Sequence, residues 1–186
     1  DYWKELWMDK ISKTMPENIS LEDSYLLRAG ILAEFGKIVC ISAGYFYEDV
    51  NKNICFKVKS ICCDDEKEIL QNFLQITNSF FKSNNRFQFA GHNIKEFDIP
   101  YICRRLLINN IALPQYLQLH GAKPWEIEMT DTLQWWKFGD YKNYISLNLL
   151  ANILNVPTSK SDIHTRKLGE VDYDEGNIGR ISTYGG

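Results

Sequence analysis

Apolar residues recur at helical spacing from the first positions, with Trp3, Leu6, Trp7 and Ile11 at i, i+3, i+4 and i+8. This predicts an amphipathic helix over residues 1–13. Ser20 followed by Asp23 resembles a capping box with Asp in place of Glu. It predicts a second helix running through Leu26, Leu27 and Ile31 to Glu34 and stopping at Gly36. The period then changes. KIVCISAGYFY and ICFKVKSI are rich in β-branched and aromatic residues, with the polar EDVNKN between them. Residues 37–47 and 53–61 therefore read as an antiparallel hairpin. Helical spacing returns in DDEKEILQNFLQITNSFFK, where acids occupy the first turn and Ile69, Leu70, Phe73, Leu74, Ile76 and Phe80 share a face. After the polar SNN, RFQFAG predicts a short strand, FDIPYICRRLLINN a helix, IEMTD another short strand and ISLNLLANIL a last helix. A hairpin followed by strands that alternate with helices predicts a mixed β-sheet flanked by helices, an α/β fold.

Composition narrows the class. A length of 186 residues suits one domain. With 45% apolar and 24% charged residues, the chain can bury a core and is not a disordered segment. Its 21 basic and 24 acidic residues leave a net charge of −3. That excludes binding of a polyphosphate through overall positive charge, though not through a local basic groove. No apolar run approaches the ~20 residues that span a bilayer, and DYWKELWMDK has no signal-peptide pattern. The expectation is a cytoplasmic protein without membrane contact. The five cysteines are odd in number and form no C-x-x-C pair. Cys40, Cys55 and Cys103 sit among apolar neighbours and read as free, small hydrophobes. Acids follow Cys62 and Cys63, which disfavours a reactive thiolate. His92, His120 and His164 are scattered and give no zinc spacing.

The chemistry concentrates in RFQFAGHNIKEFDIPYICRR, residues 86–105. A strand runs into Gly91, His92 and Asn93, and after a short loop Asp98 opens a helix. A carboxylate at such a junction lies at the sheet edge, within reach of a ligand. Gly91 permits a close approach, and Asn93 offers both donors and acceptors. Taken alone, Asp98 suits a helix N-cap, with Pro100 in the first turn.

Taken whole, the segment resembles the second motif of the DEDD 3′–5′ exonucleases, an Asn followed by an aromatic residue and then the catalytic Asp. Here these are Asn93, Phe97 and Asp98. AEFGKIVCISAGYF, GHNIKEFDIPYICRRLLINNI, DTLQWWKFGDYKNYISLNLLANIL and the acidic stretch before ISTY extend the likeness over nearly the whole chain. Together they are similar to a bacterial family of predicted 3′–5′ exonucleases related to the proofreading exonuclease domain of family-B DNA polymerases. The resemblance implies a ribonuclease-H-like fold and hydrolysis of a terminal phosphodiester with two divalent cations, Mg²⁺ or Mn²⁺, about 4 Å apart. Such cations take oxygen ligands, hence several carboxylates. Asp98 would be a metal ligand and catalytic residue. His92, Asn93 and Phe97 would face the substrate. Tyr184 would open the Tyr-type last motif and position the attacking water. The implied partner is nucleic acid with a free 3′ end, single-stranded DNA in the first instance, with protein partners left open.

The sequence departs from that pattern at both ends. No Asp-x-Glu on a strand precedes the hairpin, and only Gly185 and Gly186 follow Tyr184, where a final Asp is expected. Of four family acids, Asp98 is present. The chain thus reads as one exonuclease-like domain, residues 1–186, clipped at both ends and by itself inactive. Its central opening strand would be missing, leaving two strand edges uncovered. The rival readings are a catalytically inactive nucleic-acid-binding or structural module on the same fold and a hydrolase of small nucleotides. Further candidates are subsidiary. Asp131 reads as the N-cap of DTLQWWKF. Trp135 and Trp136 cannot share a helix face, so one is expected in the core and the other could serve as a stacking platform. Lys95, Arg104, Arg105, Lys137 and Lys142 could line a phosphate track, although Arg104 and Arg105 diverge by about 100° on a helix. His164 lies in the loop SKSDIHTRK.

Overall fold

The computed structural model describes residues 2–15, 18–83, 87–123 and 125–157. The chain divides into two compact units between Lys37 and Ile38.

The first unit holds α1 (Tyr2–Ile11), α2 (Leu21–Arg28) and a 3₁₀ turn at Ala29–Ile31. Trp7, Ile11 and Ala29 form its buried core, with Met15, Leu21, Leu32 and Phe35 packed around them. The Trp7 ring meets Tyr25 and Phe35 edge to face, with centroids 5.3 and 5.2 Å away. Its indole N–H donates to Ser24 Oγ at 2.9 Å, so burial leaves no donor unsatisfied. Ser20 caps α2 as expected, accepting from the Asp23 amide at 3.0 Å. The Asp23 carboxylate in turn accepts the Ser20 hydroxyl at 2.7 Å. The expected helix to Glu34 ends early at Arg28, and the chain tightens to 3₁₀ around Gly30, a poor helix former.

The second unit begins with the predicted hairpin, β1 (Cys40–Glu48) and β2 (Ile54–Cys62). Asp49 closes its turn by accepting the amides of Asn51 and Asn53, both at 2.8 Å. Cys40 and Cys62 face each other across the hairpin with Cα atoms 4.4 Å apart and are joined as a disulfide. This corrects the reading of Cys40 as a free hydrophobe. Cys103 does remain free, and burial pushes its thiol up to about 11, far from a thiolate nucleophile.

Next come α3 (Glu66–Ser83), β3 (Phe89–Gly91), α4 (Asp98–Ile108), β4 (Met129–Asp131), α5 (Thr132–Lys137) and α6 (Leu147–Ile153). The predicted face of α3 buries Ile69, Leu70 and Phe73. β3 and β4 pair in parallel, with Phe89 opposite Met129 and Gly91 opposite Asp131. Antiparallel and parallel pairing with intervening helices make the fold α/β. Among the described residues no further strand joins the two ladders.

Two features fix the surroundings of α4. Gly91 does permit a close approach, and what comes close is Ile94. A Cβ at position 91 would lie 3.0 Å from both Cβ and Cδ1 of Ile94. Gly91→Ala should therefore overpack this corner and cost about 1–3 kcal/mol, visible as a lowered midpoint in thermal denaturation. At the far side, α3 and α4 are joined by a buried ion pair. Glu66 Oε1 accepts from Arg105 Nε at 2.8 Å and from the Ile38 amide at 2.7 Å. Its Oε2 accepts from Arg105 Nη2 at 2.5 Å and from Asn109 Nδ2 at 2.9 Å. Burial works against the charged carboxylate, but the bonds from Arg105, Ile38 and Asn109 prevail and hold Glu66 below the usual glutamate value. Arg105 is thereby removed from the expected phosphate track.

Candidate active site

β3 ends at Gly91, and the chain turns through residues 92–97 into α4. Asn93 adopts a left-handed conformation (φ 63°), which Asn tolerates better than most residues. Its carbonyl accepts from the Phe97 amide at 2.9 Å, closing the turn. The carbonyl of Ile94 accepts from Ile99 at 3.1 Å, leading the chain into the helix. Phe97 takes the N-cap position, where no side chain caps the helix. Asp98 is thus not the cap that position alone suggested. It is the first helical residue, exposed, and set against the positive end of the α4 dipole. Phe97 beside it is 42% exposed, its ring 5.7 Å from that of Tyr101.

The turn is held from β4 and α5. Asp131 is only 1% exposed. Its Oδ1 accepts from the amides of Asn93 at 2.9 Å and Leu133 at 3.0 Å, and its Oδ2 from the amide of Lys95 at 3.1 Å. The bond to Leu133 is the expected cap of α5. The two bonds to the turn were not legible in the sequence. The signal that could have found them is the parallel register, which sets Asp131 opposite Gly91. His92 bridges the same corner. Its Nε2 lies 2.8 Å from the Ile145 carbonyl, which can only accept, so that nitrogen carries the proton. Its Nδ1 lies 3.0 Å from Thr132 Oγ1. Both ring nitrogens of His92 are therefore engaged within the protein. Gln134 Nε2 donates to Glu96 Oε1 at 2.8 Å, and Lys137 Nζ lies 3.8 Å from the same oxygen. Asn93 Oδ1 is buried and accepts no hydrogen bond among the described residues, an unused acceptor close to Asp98 in sequence.

The remaining candidates divide. Arg104 and Lys142 are exposed, and Lys95 is half-buried. Trp135 and Trp136 are 65% and 38% exposed, so neither takes the core place expected of one of them. Tyr184 and His164 lie outside the described residues. Among the described residues no three His, Cys, Asp or Glu side chains gather to hold a metal ion. No described helix is long and apolar enough to cross a membrane.

No curated protein matches the chain. Residues 31–186 match a family described as "Predicted 3'-5' exonuclease related to the exonuclease domain of PolB". The matched span contains the hairpin, both short parallel strands and the whole turn that presents Phe97 and Asp98. The chain belongs to this family of predicted 3′–5′ exonucleases.

Proposed function

We propose that the protein is a metal-dependent 3′–5′ exonuclease that trims the free 3′ end of single-stranded DNA. The observation that carries this reading is the pairing of an exposed aromatic ring, Phe97, with an exposed carboxylate, Asp98, at an uncapped helix start. Asp98 would hold Mg²⁺ or Mn²⁺ in company with donors outside the described residues, two cations being the family's arrangement. The cations would supply the positive charge that water activation and the departing 3′ oxygen require. Phe97 stacks on the terminal base, a contact that every base permits. The Asn93 carboxamide accepts a hydrogen bond from the substrate or its bound water. His92 holds the turn rather than the substrate, because both of its nitrogens are taken. Tyr184 is the candidate for orienting the attacking water.

A 5′-labelled oligonucleotide incubated with Mg²⁺ or Mn²⁺ tests this, with EDTA, duplex DNA, RNA and mononucleotide controls. Stepwise loss from the 3′ end, stopped by EDTA, is expected. Binding without shortening would sink the reading in favour of a non-catalytic module, and cleavage of mononucleotides alone would indicate a small-nucleotide hydrolase. Phe97→Ala should weaken single-strand binding by roughly 5- to 100-fold, as loss of one base–aromatic stack of about 1–3 kcal/mol requires. Fluorescence anisotropy measures this, and Phe97→Tyr should restore most of the affinity.

A further inference from the structure

We infer that Asp131 is a positioning residue that sets the turn carrying Phe97 and Asp98; as a statement about turnover this rests on the exonuclease reading. A carboxylate that is 99% buried is costly unless its oxygens are satisfied, and Asp131 makes no ion pair among the described residues. Three backbone amides satisfy it. Capping α5 accounts for one of them, Leu133. The other two belong to Asn93 and Lys95, on either side of Ile94, whose carbonyl starts the bonds into α4. Two attachments to one turn fix its twist as well as its place. They also steady Asn93 in a left-handed conformation that a non-glycine residue adopts at a cost. The side chain of Asp131 thus transmits the position of β4 to the first residue of α4 without touching the substrate.

The chemistry of the carboxylate suggests a selective test. In Asp131→Asn the retained oxygen still accepts from Asn93 and Leu133, but the amide nitrogen cannot accept from Lys95. Ser146→Ala is the control, because it removes the side-chain cap of α6 at the Leu149 amide and touches nothing in the turn. Backbone amide exchange by NMR and steady-state trimming of a 3′ end are the readouts. In the wild type, the Asn93 and Lys95 amides should exchange as slowly as those of α4, despite lying in a turn. In Asp131→Asn, exchange at Lys95 should accelerate at least tenfold while Leu133 stays protected. Turnover should fall at least tenfold, with KM changing less than twofold. Ser146→Ala should leave both turnover and KM at wild-type values. Free exchange of the Lys95 amide in the wild type would overturn the inference. So would unchanged turnover in Asp131→Asn once Lys95 protection is lost. A wild type that trims no 3′ end would overturn the exonuclease reading instead, and Lys95 exchange would still decide whether Asp131 holds the turn.

Discussion

On the exonuclease reading, Asp98→Ala should abolish 3′-end trimming, with turnover lowered about a thousandfold or more, while the protein melts within a few degrees of wild type. The loss is large because a ligand carboxylate helps hold the charge that stabilises the transition state by several kcal/mol, and each 1.36 kcal/mol is about tenfold in rate. The stability cost is small because Asp98 is exposed and is not the N-cap of α4. Its interaction with the helix dipole is worth about 0.3–1 kcal/mol. Asp98→Asn should behave alike, since the amide keeps the shape and loses the charge. Activity within tenfold of wild type in either variant, measured on the same oligonucleotide, would remove Asp98 from the mechanism.

The second large effect is on folding. Glu66→Ala should cost about 3–5 kcal/mol in urea denaturation, because it leaves the Arg105 guanidinium buried without its carboxylate. The Ile38 amide and the Asn109 side chain lose an acceptor in the same change. Replacing both partners, as in Glu66→Leu with Arg105→Leu, should cost far less, since no charge is then stranded. The pH dependence has a definite sign. Glu66 is held below the ordinary glutamate value of 4.5, so the unfolded chain takes up this proton more readily than the folded protein. Its contribution is fully present above the unfolded value and is lost as pH falls through the folded one. Denaturation midpoints of the wild type should fall on acidification below about pH 5. Glu66→Gln should flatten that dependence, and equal slopes would refute the role.

Local pattern made most of the scaffold legible. The hairpin, α3, α4 and the Ser20 cap each rest on residues close in sequence, where periodicity and turn chemistry act directly. The strand-to-helix junction that carries Asn93, Phe97 and Asp98 was legible for the same reason, whereas the roles proposed for them rest on the family resemblance. Contacts across long separations were not. Glu66 and Arg105 look like ordinary surface charges on two amphipathic helices until tertiary packing brings the helices together. Cys40, read as a small hydrophobe, and Cys62, read as an unreactive thiol before acids, look unrelated until the hairpin register sets them face to face. Asp131 was legible as a helix cap, but its hold on the turn depends on the parallel pairing of two three-residue strands. Strands that short carry almost no periodic signal of their own.

α4 has its charged anchor seven residues from its start: Arg105 is gripped by Glu66, and Asp98 stands at the first position. That is about 10 Å of stiff helix. The helix therefore acts as a lever arm whose fulcrum is the ion pair and whose tip is the carboxylate. A tilt of about 5° at the fulcrum swings the tip by about 1 Å, a misplacement that can slow a reaction by about a hundredfold. On the exonuclease reading, a Glu66 variant that still folds should accordingly trim a 3′ end slowly, its defect arising far from the substrate.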